Sequence, residues 1–351
     1  MLSLNSFALV NRMRKLRIAI SGFGRIGRSV LRALYERELQ DRIEIIAINE
    51  LADTETMAYM LRYDSTHGRF QHKVDVANDE ITINNRAIQI LHHDSLFQLP
   101  WSKHNIDIVL DCTGRYKNRD DLKQHLSQGA TKVLLSQPGT SVDFTLIAGL
   151  NEKQLQTHHR IISLGSCSTN CILPVFYLLD KAYGIDQGVT TTIHSAMNDQ
   201  PVIDAYGSDL RRTRAAVASI IPVDTALPRG ISRLMPHLEG RIESLHLRVP
   251  TLNVSVMDLS LQLKNDVTVE EVNALIEKAS NSFLKGITAF TEEPHASVDF
   301  NHDPHSGIVD ASQTRVSGNR LLKMLIWFDN EWGFANRMVD TLLSPQLGTF
   351  E

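Results

Sequence analysis

Cysteine is scarce, with three in 351 residues, an odd number at spacings that suggest no pairing. That excludes a disulfide framework and points to a reducing compartment. Long apolar runs are missing too. None reaches the roughly 18 residues of a membrane span, so no membrane partner is expected. Phe7-Ala8-Leu9-Val10 is too short for a secretory apolar core, and no convincing small-residue cleavage site follows it. Met1–Arg12 therefore reads as a disordered extension or a misassigned start. Neither sign of charge dominates: 36 Lys and Arg stand against 40 Asp and Glu, a net charge of −4, which leaves no footprint for nucleic acid. No metal is expected, because Cys167 and Cys171 lack two further ligands at zinc-site spacing. What remains is an ordinary globular chain, 42% hydrophobic and 22% charged, long enough for two domains.

The first half carries a dinucleotide signature. Leu16–Ile20 reads as a strand, Gly22-Phe23-Gly24-Arg25-Ile26-Gly27 as the turn, and Val30, Leu31, Leu34 and Leu39 as the apolar face of a helix. A second strand, Ile43–Asn49, ends at Glu50. This is G-x-G-x-x-G between strand and helix, followed by an acid. Gly22 permits the tight turn, Gly24 admits a pyrophosphate, and Gly27 allows close packing. The helix start at Arg25 and Ile26 offers N–H groups to phosphate. Glu50 is placed to accept from the adenosine ribose and to repel a 2′-phosphate, so NAD is favoured over NADP. Ile106–Asp111 and Lys132–Leu135 read as buried parallel strands. Ligands bind beyond strand C-termini in such sheets, which nominates Thr113, Gly114 and Ser136 as cofactor neighbours, with Cys112 packing.

From about Gly165 the rhythm changes. Strands are expected at Ile242–Val249, Asn253–Leu263 and Leu321–Phe328, and helices at Asn170–Tyr183, Leu210–Ile220 and Thr268–Ser282. The fold class is thus α/β: a Rossmann-type doubly wound sheet followed by an α+β catalytic domain with a mostly antiparallel sheet. The expected boundaries are 13–164 for the first domain, completed by a C-terminal helix over 333–351, and 165–332 for the second. Cys167 falls at the first turn of a helix, where the macrodipole lowers a thiol's pKa below its free value of about 8.5 and favours a nucleophilic thiolate. His194, ending the strand-like run Val189–Ile193, is the candidate base. Cys171 is expected in the core. Arginines at 211, 212, 214 and 248 suit phosphate recognition, but such a cluster is more often a solvated face or a subunit salt bridge.

Together, Gly22–Arg28, Ser166–Cys171, Thr191–Ser195, Arg248–Thr251 and Trp327–Arg337 resemble the glyceraldehyde-3-phosphate dehydrogenase superfamily over Leu16–Leu343. Ala47–Asp53, His194–Met197, Asp299–Ser306 and Gln313–Gly318 resemble the branch of it that oxidises D-erythrose 4-phosphate. The resemblance implies NAD-dependent oxidation of this small phosphorylated aldose to 4-phosphoerythronate, supplying vitamin B6 synthesis, in a cytoplasmic homotetramer. It implies Cys167 as nucleophile and His194 as the base that activates it. It implies NAD contacts from Arg25, Ile26, Glu50, Asp94 (through its backbone carbonyl) and Asn330, the last at the nicotinamide carboxamide. Ser166, Cys167, Ser168, Arg212, Thr225, Ala226 and Arg248 are implied around the substrate. Ser168 stands where the superfamily commonly has Thr, Asp94 where it has Arg, and Met197 where the triose enzyme has a phosphate-binding Thr. Losing that bond to a charged group costs about 1.5–3 kcal/mol, enough to alter substrate preference. The expected chemistry is a cysteine thiohemiacetal oxidised to a thioester that water hydrolyses. The alternatives are phosphorolysis, as in the triose enzyme, and a non-catalytic NAD-binding regulator.

Overall fold

A computed structural model describes residues 14–348, so the reading of Met1–Arg12 lies outside the described residues. The first half contains β1 Leu16–Ser21, α1 Arg25–Glu36, β2 Ile43–Asn49, α2 Thr54–Arg62, β3 Tyr63–Asp64, β4 Gly68–Arg69, β5 Val74–Val76, β6 Glu80–Ile83 and β7 Arg86–Leu91. It continues with β8 Ile108–Asp111, α3 Arg119–Ser127, β9 Lys132–Leu135, β10 Phe144–Thr145 and β11 Ile161–Ser163. A nine-stranded sheet runs β10-β11-β9-β8-β1-β2-β7-β6-β5. From β10 to β7 its pairs are parallel, while β7-β6-β5 is an antiparallel edge. Runs such as Ile108–Leu110 are buried on both faces, as parallel strands must be when elements cover both sides. Beside β1 the strand order reverses, and there a doubly wound sheet opens a ligand cleft.

The second half contains α4 Cys167–Tyr183, β12 Ile185–His194, β13 Ile221–Pro222, α5 Leu227–Leu234, β14 Ile242–Arg248, β15 Ser255–Leu263 and α6 Val269–Ser280. After these come β16 Thr288–Thr291, β17 Gly307–Ser317, β18 Leu321–Phe328 and α7 Trp332–Leu342. Its sheet order is β13-β14-β12-β15-β18-β17-β16. Only the β12–β14 and β16–β17 pairs are parallel, so the sheet is mostly antiparallel, as expected. Two helix expectations fail, the first of them here. Leu210–Ile220 is not a helix; it holds a single 3-10 turn at Arg211–Thr213 within an irregular segment. Leu210, Val217 and Ile220 are all exposed, so this chain offers no apolar surface against which a helical face could form.

The C-terminal helix returns to the first sheet. Trp332, Phe334, Met338 and Val339 of α7 lie in the same core as Ile18, Ile20, Val30 and Leu34. It ends at Leu342, followed by a 3-10 turn at Pro345–Leu347, rather than running to 351. Asp299–Ser306 clasps the two halves: Asn301 Nδ2 donates to the Thr66 carbonyl at 2.9 Å, and His302 stacks on Trp332 at 3.7 Å between centroids. No helix among the described residues is long and apolar enough to cross a membrane.

Candidate active site

The glycine loop is shaped by close approaches. Gly22 has φ +91°, and a Cβ there would stand 2.6 Å from the Thr113 nitrogen; a Cβ on Gly27 would stand 2.3 Å from the Gly22 carbonyl oxygen. The Gly27 contact is thus with the turn itself. A Cβ on Gly24, by contrast, meets no protein atom within 4 Å. The start of α1 has no side-chain cap and no acid in its first turn, so its N–H groups are free for an anion. A cleft of about 170 Å³ brings Gly22, Gly24, Glu50, Asp94 and Thr113 together.

Glu50 takes N–H bonds from Phe23 and Leu51, each at 2.7 Å, which fixes the carboxylate at the cleft. Asp94 sits at the exposed mouth, paired with Arg115 at 2.5 Å. Asp111 holds Thr113 by accepting from its hydroxyl at 2.7 Å. Ser136 lies beside Cys112, whose thiol burial pushes up to about 12. The Arg25 side chain turns away from the loop: Glu331 holds it at two positions and Asp64 at a third. Its Nε donates to Glu331 at 2.8 Å, so Arg25 and Ile26 face a phosphate through backbone N–H only.

Ser166 caps α4, accepting from the Thr169 nitrogen at 3.1 Å while the Thr169 hydroxyl accepts from the Ser166 nitrogen. This capping box sets Cys167 at the first helical position. Opposite, His194 ends β12, and its Nε2 lies 3.9 Å from Cys167 Sγ. His194 Nδ1 donates to the Ser195 carbonyl at 2.8 Å, which leaves Nε2 with a lone pair toward the sulfur. Ser195 Oγ and Ser255 Oγ both donate to Asn330 Oδ1, at 3.0 and 2.9 Å. Asn330 therefore keeps its amide N–H groups for another acceptor. One network thus joins the asparagine to the neighbour of the base.

The thiol corrects one expectation. Burial pushes Cys167 up to about 11. Bonds from the Ser168 hydroxyl and from the Ser168 and Cys167 N–H groups pull it down, and Asp329 pushes it up again. Desolvation and the helix start act in opposite directions on this partly exposed thiol, and desolvation is the larger influence. Burial also lowers His194, and Arg248 lowers it further against the opposing Ser195 bond. The pair is a thiol facing a neutral imidazole: a proton acceptor in place rather than a standing ion pair. Cys171 is fully buried in the second core, and burial drives its thiol well up.

Ser166, Cys167, Ser168, His194, Thr225 and Ala226 line one cavity of about 600 Å³, with Met197 and His246. Arg212 and Arg248 are not among its lining residues; both are bound to Asp199, and Arg248 pairs in register with His194 across the β12–β14 ladder. His246 and Asp199 escape a reading of the sequence. His246 lies two residues before Arg248, so both share one strand face, and that alternation was the available signal. Its ring stacks on His194, with centroids 5.1 Å apart and planes at 23°. Burial and the neighbouring His194 and Arg248 push His246 down to about 3, and its Nε2 is buried with no partner. A neutral ring here shields His194 from water. His246→Ala should admit solvent, relieve the desolvation and raise the pKa of His194. The acid limb of the kcat/KM profile then moves to higher pH, while His246→Phe, which keeps the stack, leaves it in place. An unmoved limb in the alanine variant removes His246 from this role.

A doubly wound dinucleotide fold beside a Cys–His pair defines the class, an NAD-dependent oxidoreductase. Residues 16–119 match the NAD-binding domain of glyceraldehyde 3-phosphate dehydrogenase, and residues 166–330 match its C-terminal domain. The chain belongs to the glyceraldehyde 3-phosphate dehydrogenase family, whose reaction is NAD-dependent oxidation of an aldehyde.

Proposed function

We propose that this enzyme oxidises D-erythrose 4-phosphate to 4-phospho-D-erythronate, with water as the acyl acceptor. The observation that carries the reading is the Cys167–His194 pair at 3.9 Å on the wall of a cavity whose Met197 offers no hydroxyl to a substrate phosphate. The stretches Ala47–Asp53, Asp299–Ser306 and Gln313–Gly318 support the same branch by resemblance. On that resemblance alone rest a cytoplasmic homotetramer and a role in supplying pyridoxal phosphate synthesis.

In this reading Nε2 of His194 takes the thiol proton as Cys167 sulfur adds to the aldehyde carbon. The N–H groups at the start of α4, with protonated His194, stabilise the oxyanion. When bound, NAD supplies the acceptor for the hydride that leaves this carbon. His194 then releases the thiol proton to solvent, and as base it takes a proton from the water that attacks the resulting thioester. The water oxygen bonds to the acyl carbon, the C–S bond breaks, and the thiol recovers a proton. Gly24, the start of α1, Glu50 and the free amide of Asn330 are the groups that would hold the cofactor.

The test measures NADH formation from D-erythrose 4-phosphate and from glyceraldehyde 3-phosphate, each with and without inorganic phosphate. Preference for the tetrose, independent of phosphate, is expected. Preference for the triose with strict phosphate dependence would assign the glycolytic-type reaction instead.

A further inference from the structure

Behind the dinucleotide cleft runs a chain of buried polar side chains that the mechanism does not use. Trp101, His125 and Asp111 are each fully buried. The Trp101 indole Nε1 donates to His125 Nδ1 at 2.9 Å, and His125 Nε2 faces Asp111 Oδ2 at 3.2 Å. An indole N–H can only donate, so Nδ1 accepts and the ring proton sits on Nε2, aimed at the carboxylate. The other carboxylate oxygen, Oδ1, accepts from the Thr113 hydroxyl at 2.7 Å and from the Thr113 nitrogen at 3.1 Å. Both Asp111 oxygens are thus filled. The Thr113 oxygen, its own proton committed to Asp111, receives the Arg115 N–H at 3.1 Å and keeps one lone pair. Thr113 lines the cleft with Gly22, Gly24 and Glu50, and its nitrogen lies where a Cβ on Gly22 would press to 2.6 Å.

We propose that His125 and Trp101 are positioning residues for NAD: through Asp111 they hold the Thr113 hydroxyl as an acceptor, set for a hydroxyl donor on the dinucleotide. Core packing alone does not call for such a chain. Trp101 lies among Ala19, Ala47, Leu99 and Val109, and apolar groups of similar volume often stabilise a buried site as well as a polar chain does. What apolar groups cannot do is give the Thr113 hydroxyl a direction. A free hydroxyl turns to offer either its proton or its oxygen. Here the carboxylate takes the proton, and the histidine, with its tautomer set by the indole, holds the carboxylate in place. Only the oxygen is left for the cleft, and the ribose hydroxyls of a dinucleotide are donors that match it. Support of this kind fixes a binding group before the ligand arrives, so less ordering is left to be done on binding. This role concerns the cofactor alone and holds whichever aldose is oxidised.

The test titrates NAD into the protein by calorimetry, without aldose, in a double-mutant cycle of His125→Leu and Thr113→Val. Each single variant is expected to bind NAD about tenfold more weakly, and the double variant no more weakly than either, because His125 acts through the Thr113 hydroxyl. His125→Gln, whose amide N–H still reaches toward Asp111, should stay within about threefold of wild type. Additive losses in the double variant, or equal losses in His125→Leu and His125→Gln, assign His125 to packing and overturn the proposal. A Thr113→Val protein with undiminished affinity overturns it as well. Should His125→Leu fail to fold, Trp101→Phe, which removes the indole donor and keeps an aromatic ring, takes its place in the same cycle under the same criteria.

Discussion

A Cys167→Ala protein should form NADH from either aldose at least about 10⁴-fold more slowly than wild type, because removing a nucleophile removes the route itself and not one interaction along it. The fold should be unaffected: Cys167 contributes one small side chain at the seam where both cores meet. Initial rates, together with trapping of a Cys167-linked acyl group in the wild type only, check the result. An undiminished rate would end the covalent mechanism. The same thiol carries a pH signature. Burial holds it near 11, so its alkylation in the protein alone should rise about tenfold per pH unit between neutrality and pH 10, following the thiolate fraction. A plateau reached by pH 7 would mean that the thiolate is already formed there and that burial is not the governing influence.

His194→Asn should slow NADH formation by about 10²- to 10⁴-fold, the usual contribution of a positioned general base. The alkylation profile of Cys167 should scarcely move in this variant. Burial keeps His194 neutral in the resting protein, so it contributes no positive charge that would stabilise a thiolate. The combination is diagnostic: turnover falls while the thiol titrates where it did before. If alkylation near neutral pH collapses in His194→Asn, the resting pair is a thiolate–imidazolium ion pair and not a thiol facing a base. His194 would then act by setting the nucleophile's charge in advance of the reaction.

Much of the fold was legible because its signals are local. Gly22 and Gly27 announce a turn whose backbone approaches leave no room for a Cβ, and Thr268 with Glu271 announces the start of α6 through a capping box that the structure contains. The parallel sheet was legible from doubly buried runs such as Ile106–Asp111, and the position of Cys167 from the small polar residues that precede a helical apolar run. The segment 210–220 misled for the opposite reason. Its apolar residues fall at helical intervals, but periodicity stabilises a helix only when another surface buries the face it creates. The short α5 at Leu227–Leu234 and the long strand Gly307–Ser317 were not read, although Pro228 in the first turn of the one and Gly318 just past the other mark boundaries.

The sequence by itself determined the class of chemistry: a dinucleotide loop, a cysteine at a helix start, and a histidine at a strand end are each specified by neighbours within a few residues. The tertiary structure alone decided how those groups behave. Only the packing of both cores against Cys167 pushes its thiol up, against the pull of its own helix. Only the β12–β14 pairing stacks His246 on His194, and only the loop after β12 carries Asp199 onto Arg212 and Arg248. Backbone turns and caps are set by short-range sterics and hydrogen bonds. Charge states and ion partners depend on burial and through-space distance, which join residues the chain keeps far apart.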